Sequence, residues 1–119
     1  MAVEYKAKQG DIIWLDFDPH VGNEQGGKRP ALVISNNTFN TIRKSNAIVC
    51  PITNTDRGLP IQPKLDERTK TTGFIMCDQV KTLNLKARNA EFKEKAPDDI
   101  VFEAIDIIIG FIEKPESGI

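Results

Sequence analysis

Cysteine and histidine are scarce in this sequence. Its 119 residues include two cysteines, Cys50 and Cys77, and one histidine, His20. The cysteines lie apart, inside apolar segments, so the sequence predicts two buried thiols and neither a disulfide framework nor a zinc site. A single histidine excludes a catalytic pair of histidines and a histidine-rich metal site, and His20 itself is expected in a solvated loop.

Long apolar runs are also missing. No segment approaches the ~18 apolar residues that a membrane-spanning helix requires, and the N-terminus has no charged and apolar signal pattern. At 119 residues and 39% hydrophobic, the chain is large enough to bury a core without covalent staples. We therefore expect one domain over residues 1–119, soluble and cytoplasmic, with no membrane partner.

Net charge is nearly absent, but the charges are segregated. The formal value of −1 argues against a uniformly basic nucleic-acid binder. Residues 11–24 hold four acids and no lysine or arginine, residues 28–95 hold thirteen basic and six acidic residues (13 − 6 = +7), and residues 96–113 hold five acids and no base. Such a positive middle can present a cationic face to an anionic ligand. The alternative is that these charges are scattered over solvated loops.

Short apolar and β-branched runs predict a mainly β domain. Residues 61–65 contain Pro63 and are expected at a sheet edge, residues 36–46 have room for one short helical turn at most, and residues 86–95 are left open between a basic connector and an edge strand. Many strands without alternating helices favour a compact β-barrel. The predicted strands are residues 11–17, 30–35, 47–53, 61–65, 73–80 and 81–85.

The C-terminal part of the chain has a helical period. Pro97 followed by Asp98 and Asp99 predicts a helix start, with proline at the first position and acids in the first turn, and the pattern continues to Ile112. One stripe is polar and nearly every other residue is apolar. This apolar surface exceeds what a small barrel can cover, and the excess predicts a partner chain.

The most unusual stretch is residues 22–35, GNEQGGKRPALVIS. It leads from a polar, glycine-rich run directly into an apolar strand, and only Pro30 separates Arg29 from that strand. A guanidinium near a core needs a partner. Arg29 therefore either belongs to a structural ion pair or awaits an anion.

Residues 10–35, together with CPITN at 50–54 and CDQVK at 77–81, resemble the MazF/PemK family of toxin endoribonucleases from toxin–antitoxin modules. The family signature is Gly-Asp, a strand, a loop, and then Glu-Gln-x-Gly-x-Arg-Pro before an apolar strand. The resemblance covers nearly the whole chain, including the terminal helix. Every part of the signature is present, as Gly10, Asp11, Glu24, Gln25, Gly27, Arg29 and Pro30.

The resemblance implies a mainly β fold with α, an SH3-like (CcdB/PemK-type) β-barrel with a C-terminal helix. It also implies a homodimer that cleaves single-stranded RNA at short sequence motifs without a metal or other cofactor. A cognate antitoxin would bind the dimer and block its RNA groove. Arg29 and Thr53 match the paired catalytic positions of the family.

The chemistry of RNA cleavage suits these residues. Attack by the 2′-hydroxyl requires removal of its proton, stabilisation of a pentacovalent phosphorane and protonation of the departing 5′-oxygen. Arg29 offers a planar fork for two phosphate oxygens, and Thr53 offers a hydroxyl donor at a strand end. Glu24 lies across the glycine-rich loop and is the candidate base. A carboxylate beside a guanidinium has a lowered pKa, so Glu24 could instead hold Arg29.

Recognition of a single strand needs aromatic stacking and polar groups that reach base edges. Phe17 is the candidate stacking residue, although a phenylalanine at a strand end is also typical of a core. Polar residues that adjoin the matched motifs are the candidate RNA contacts, and these are Gln25, Lys28, Asn54, Gln79 and Lys81.

Two functions of other classes remain open. The same fold superfamily contains toxins that poison DNA gyrase without nuclease activity, but that branch relies on an aromatic-bearing tail, and this chain ends in EKPESGI. A non-catalytic SH3-like module would need an aromatic peptide groove. One tryptophan, one tyrosine and six phenylalanines, most of them required for the core, are few for such a groove.

Overall fold

The computed structural model describes residues 4–115. Within them the chain forms a β-sheet, two α-helices and a short 3₁₀ turn. In chain order the elements are β1 (Asp11–Asp16), β2 (Lys28–Val33), α1 (Asn37–Arg43), β3 (Asn46–Thr53), β4 (Phe74–Ile75), the 3₁₀ turn (Cys77–Gln79), β5 (Lys81–Asn84), β6 (Glu91–Lys95) and α2 (Asp98–Ile112).

The sheet is antiparallel throughout, with the strand order β4-β3-β2-β1-β6. The far edge of β3 is shared, because β5 pairs with its first half and β4 with its last two residues. β1, β2 and β3 are therefore each paired with the next strand along the chain, whereas β5 pairs with β3 and β6 returns to pair with β1. Since β2 and β3 are antiparallel, the start of β2 and the end of β3 lie at the same edge.

Hydrophobic side chains lie on both faces of the sheet. Along β1, Ile12 and Ile13 point to opposite faces. The face that carries Ile12 packs against α2 around Ala104, and the face that carries Ile13 is covered by Tyr5 and Ala7 of the N-terminal segment. Coverage on both faces explains why the predicted strand segments 30–35 and 47–53 are apolar at nearly every position, as the sequence predicts.

The strand predictions hold at the centre of the sheet and fail at one edge. Residues 61–65 form no strand, because Pro63 has no N–H to donate, and only an isolated bridge joins Lys64 to Phe74. The predicted strand over 73–80 is reduced to β4, since the chain turns into the 3₁₀ turn after it. The open segment 86–95 contains an edge strand, β6. β2 also starts two residues before its predicted start, because its first residue pairs with the end of β1.

Both helices differ slightly from their predictions. α1 has seven residues rather than a single turn, and the side chain of Asn36 caps it by accepting the Phe39 N–H at 2.9 Å. α2 ends at Ile112 as predicted, but Pro97 is its N-cap, with an extended backbone, rather than its first helical residue. Within residues 4–115 no helix combines the length and the apolar character needed to cross a bilayer.

Both cysteines are buried, as the sequence predicts. The register between β3 and β4, continued by two residues, places Cys50 opposite Cys77. The neighbouring Cys77 thiol, followed by burial, raises the pKa of Cys50 well above its usual range. Because the thiolate is the reactive form, we infer that Cys50 is an inert part of the core.

Candidate active site

Arg29 and Thr53 lie at the same edge of the sheet. β2 and β3 pair with Ala31 opposite Pro51. Continuing this register by two residues places Arg29 opposite Thr53, and directly opposed residues in antiparallel strands share a face. The two side chains expected to act on phosphate therefore come from neighbouring strand ends.

The Arg29 guanidinium is held by a backbone carbonyl. Its Nε and one Nη both donate to the carbonyl oxygen of Gly26, at 3.0 and 2.8 Å. Among residues 4–115 no carboxylate forms a salt bridge with it. A carbonyl orients the guanidinium without cancelling its charge. Of the two sequence-based alternatives, the structure thus favours a cation that awaits an anion.

Thr53 is a buried residue whose hydroxyl accepts one hydrogen bond and can still donate another. Only 6% of the residue is exposed, and its Oγ1 accepts the Thr55 N–H at 3.2 Å. Within the described part of the chain the hydroxyl donates to no acceptor. It can therefore donate to an oxygen that is brought to the end of β3.

The loop of residues 17–27 is fastened to the segment of residues 79–81. Glu24 accepts the N–H of Val21 at 2.9 Å and the Lys81 ammonium at 3.1 Å. The Gln25 N–H donates to the side-chain oxygen of Gln79 at 2.9 Å. Four predicted site residues, far apart in the sequence, are thus brought together.

Glu24 does not hold Arg29 in this structure, so that alternative is wrong here. Its carboxylate pairs with Lys81, while the guanidinium uses Gly26. The Val21 N–H, followed by Lys81, keeps the pKa of Glu24 below its usual range. The carboxylate is therefore ionised at neutral pH and able to accept a proton, although it is a weaker base than an ordinary glutamate.

Phe17 is in the core, so the prediction that it stacks on a base is wrong. It is 2% exposed and packs with the cluster around Leu15, because it continues the inward alternation of β1. Its ring also lies beneath the Lys81 ammonium, 6.0 Å from the centroid. Phe17 therefore supports a site residue from below and offers no free face to a base.

A cleft of about 1030 Å³ opens beside Arg29. Lys28 and Asn54, two predicted RNA contacts, line it, and so does Trp14, which sequence reasoning missed. Trp14 is partly exposed, and the Lys93 ammonium lies 5.4 Å from its ring centroid. The alternation of β1 places Trp14 on the face of Ile12, and nothing in the sequence indicates that α2 leaves this end of that face open.

Gly26 and His20 form a contact that sequence reasoning also missed. A Cβ on Gly26 would overlap with His20 Nδ1, so the exposed imidazole packs directly against this glycine. His20 Nδ1 is 2.9 Å from an Asp18 oxygen, which also accepts the Gly27 N–H at 2.9 Å. The Gly27 N–H, followed by His20, holds the pKa of Asp18 below its usual range. These contacts fix the carbonyl that orients Arg29.

Residues 70–72, which also line the cleft, belong to a loop that Glu94 holds in place. The Glu94 carboxylate accepts the N–H groups of Lys70 and Thr71, at 3.0 and 2.7 Å, and the Thr71 hydroxyl at 2.7 Å. The Thr72 hydroxyl donates to Asn54 at 3.0 Å. Across residues 4–115, no three histidine, cysteine, aspartate or glutamate side chains converge as metal ligands.

Known proteins resemble this chain over nearly its whole length. The family model described as "PemK-like, MazF-like toxin of type II toxin-antitoxin system" matches residues 8–109. The chain is 36% identical to the endoribonuclease toxin MazF of Escherichia coli (strain K12) over 114 residues, which are 92% of this chain and 100% of that protein. It is 33% identical to the endoribonuclease PemK of Escherichia coli over 102 residues, covering 82% and 76% of the two chains.

Solved structures extend the similarity to the fold. The crystal structure of MazF (Form-I) from Deinococcus radiodurans matches with a TM-score of 0.86 at 31% identity, over 92% of this chain and 98% of that one. The MazE-MazF crystal structure (Form-II) from the same organism matches with a TM-score of 0.79 at 31% identity, over 92% and 97%. These matches confirm the predicted fold, a CcdB/PemK-type sheet with a C-terminal helix.

Proposed function

Since the chain belongs to the PemK-like, MazF-like toxin family of type II toxin–antitoxin systems, we propose that it is a sequence-specific, metal-independent endoribonuclease that cleaves single-stranded RNA. The relatives named above are endoribonucleases. The observation that carries the proposal is that Arg29 lines a cleft together with Lys28 and Asn54, at the edge of the sheet where β3 ends in Thr53.

The proposed reaction is attack by the 2′-oxygen on the adjacent phosphorus. The 2′-hydroxyl loses its proton, a new bond forms between the 2′-oxygen and phosphorus, and the bond from phosphorus to the 5′-oxygen breaks. The products are a 2′,3′-cyclic phosphate and a 5′-hydroxyl. Arg29 and Thr53 stabilise the charge that develops on the phosphoryl oxygens. The departing 5′-oxygen takes its proton from Arg29 or from water.

Glu24 is the proposed proton acceptor. In the free protein its carboxylate is engaged by Lys81 and the Val21 N–H. We propose that an RNA phosphate competes for Lys81 when the substrate binds. Glu24 is then released from one partner and its pKa rises towards that of an ordinary carboxylate, which makes it a better base.

The proposed RNA contacts fall into two groups. Gln25, Gln79 and Lys81 lie where the loop of residues 17–27 meets the sheet, and Lys28 and Asn54 lie in the cleft. Polar side chains in these places can reach base edges and phosphates. Trp14 takes the stacking role first expected of Phe17, because its ring borders the cleft.

We also propose two protein partners. MazE-MazF complexes are known for a structural relative, and a cognate antitoxin that covers the cleft would keep this chain inactive. A second copy of the chain would cover the exposed apolar side of α2, where Phe102, Ile109 and Ile112 are 56%, 48% and 79% exposed. The expected location is the cytoplasm, where the RNA substrate is made.

Incubation of the purified protein with mixed-sequence RNA in EDTA tests the function. We expect cuts at a short motif, with cyclic-phosphate and 5′-hydroxyl ends. Arg29→Ala and Thr53→Ala should each lower the cleavage rate by about a hundredfold or more, as removal of one preorganised donor does elsewhere. Melting curves should show that both variants fold.

Matched controls are available in Arg57→Ala and Thr82→Ala, which remove the same side chains from exposed positions. Both should cleave as the unaltered protein does. RNA that stays intact at high protein concentration would refute the nuclease. If the protein instead inhibits supercoiling by DNA gyrase, the gyrase alternative is favoured.

A further inference from the structure

A second groove lies between the N-terminal segment, α1 and the turn at residues 85–90. It consists of two adjoining cavities of about 740 and 470 Å³, which share Lys44 and Lys86 among their lining residues. Of the described residues, none lines both these cavities and the cleft beside Arg29. The groove is therefore a concave surface separate from the candidate active site.

The groove is strongly cationic. Lys6, Lys8, Lys44 and Lys86 line it, and Glu4 is the carboxylate among its described lining residues. Within residues 4–115 none of these four lysines forms a salt bridge. The cleft also has four cationic side chains, but with two glutamates beside them. The larger excess of positive charge thus lies in the second groove, and like charges around one cavity favour an anionic occupant.

Among the described residues, the groove offers no free aromatic face on which a base could stack. Its aromatic lining residue is Tyr5, whose hydroxyl donates to Asp11 at 2.6 Å and whose ring lies 6.4 Å from that of Phe92. That ring is used within the protein. Lysine acts as a mobile point charge and lacks the planar fork with which arginine recognises bases. Such a surface suits a run of phosphates rather than particular bases.

We propose that this groove binds the sugar–phosphate backbone of single-stranded RNA outside the segment that is cleaved. The proposal rests on the proposed function, because it assumes an RNA substrate. The contact is independent of sequence. It adds affinity for long RNA, and it holds a transcript on the protein while the cleft encounters its short recognition motif.

Binding of two uncleavable oligonucleotides tests the proposal. Both carry 2′-O-methyl riboses throughout and contain the cleavage motif; one is just long enough to fill the cleft, and the other is several times longer. We expect the unaltered protein to bind the longer one more tightly. The double variant Lys44→Gln/Lys86→Gln should lose that advantage, and the slope of log Kd against log salt should fall by about 1.4, since each lysine–phosphate contact contributes about 0.7.

The control is Arg57→Gln/Lys114→Gln, which removes the same charge from exposed residues outside both concave surfaces. It should keep the advantage of the longer oligonucleotide. The proposal is overturned if the Lys44/Lys86 variant binds the longer one as the unaltered protein does, or if it loses affinity for the short one equally. If the unaltered protein binds neither oligonucleotide, the proposed function fails as well. This outcome differs from failure of the groove proposal alone, in which the unaltered protein still binds the short oligonucleotide.

Discussion

At the scale of single residues, the site depends on how each charge is partnered. Arg29 is oriented by a neutral carbonyl and keeps its charge for a phosphate, whereas Glu24 is paired with a cation that lowers its pKa. The motif alone predicts that both residues belong to the site. It does not indicate these partners, because Lys81 reaches Glu24 from a strand distant in the sequence.

The pairing of Glu24 with Lys81 predicts a pH effect. If Glu24 is the base, the acidic limb of the kcat/KM profile reports its pKa in the free protein. Lys81→Met removes a cation that favours the carboxylate, so the pKa of Glu24 rises and the limb moves to higher pH. The shift is partial, because the Val21 N–H, the larger cause, remains.

Cleavage rates measured from acid to neutral pH check this effect. Lys93→Met is the control, because Lys93 is a lysine of the cleft that does not contact Glu24; the acidic limb of this variant should stay in place. A Lys81→Met variant that cleaves more slowly with an unmoved limb would show that Glu24 is not the base.

The sequence does not predict which of two aromatic residues is exposed at the site. Trp14 lies in β1 and Phe17 directly follows this strand, and alternation places the two side chains on opposite faces of the sheet. The sequence does not say which face is covered at that end. The N-terminal segment and Leu85 help to bury Phe17, while Trp14 stays partly exposed beside the cleft. Only long-range packing makes the distinction.

At the scale of elements, a few contacts within the loop of residues 17–27 determine the position of the Arg29 guanidinium. His20 packs on Gly26, and the Gly26 carbonyl orients Arg29. Gly26→Ala should therefore push the imidazole away from Asp18 and shift the carbonyl. Because a displacement of about 1 Å in a reacting group costs up to about 10²-fold in rate, we expect a loss of about tenfold in kcat/KM.

A double mutant isolates this mechanism. His20→Ala removes the ring that the new methyl group meets, so Gly26→Ala should cost much less activity in that background. Cleavage assays of the two single variants and the double variant provide the comparison, with melting curves to check folding. Equal losses with and without His20 would contradict the packing argument.

For the strands, too, the local sequence pattern predicts some elements, and contacts with residues distant in the sequence decide the others. β1, β2 and β3 are predictable because both faces are covered and each contains a continuous apolar segment. β4 and residues 61–65 are mispredicted because their pairing is decided elsewhere: Pro63 interrupts the ladder, and the 3₁₀ turn redirects the chain after Ile75. The Arg29–Thr53 pair was within reach of prediction, since it follows from the register of two such central strands.

At the scale of the whole molecule, a net charge of −1 conceals distinct surfaces. The cleft beside Arg29 contains both positive and negative side chains, and the groove at the N-terminal segment is lined by lysines. Acidic residues lie on one stripe of α2. Electrostatic attraction of a polyanion depends on local rather than total charge. An acidic protein can therefore bind RNA and still present an uncharged apolar face to another chain.

That apolar face predicts a homodimer built on α2. Ile100, Val101 and Ala104 point to the sheet, whereas Phe102, Ile109 and Ile112 follow one another at helical spacing on a second, exposed stripe. Exposed apolar surface of this kind is typical of a protein–protein contact, and its burial against a second copy stabilises a dimer. In a two-fold dimer, each substitution at the contact occurs twice.

Ile109→Asp should therefore raise the dimer Kd by about a hundredfold or more, because it places two unpaired carboxylates in an apolar contact. Gly110→Asp is the matched control: it adds the same charge one residue later, on the polar stripe, where a Cβ meets nothing within 4 Å. Sedimentation velocity over a range of concentrations distinguishes the dimer from the 13.3 kDa monomer. The homodimer is contradicted if the unaltered protein is a monomer at micromolar concentration, or if the two variants have the same dimer Kd. The exposed stripe of α2 would then be a contact surface for the antitoxin rather than for a second copy of this chain.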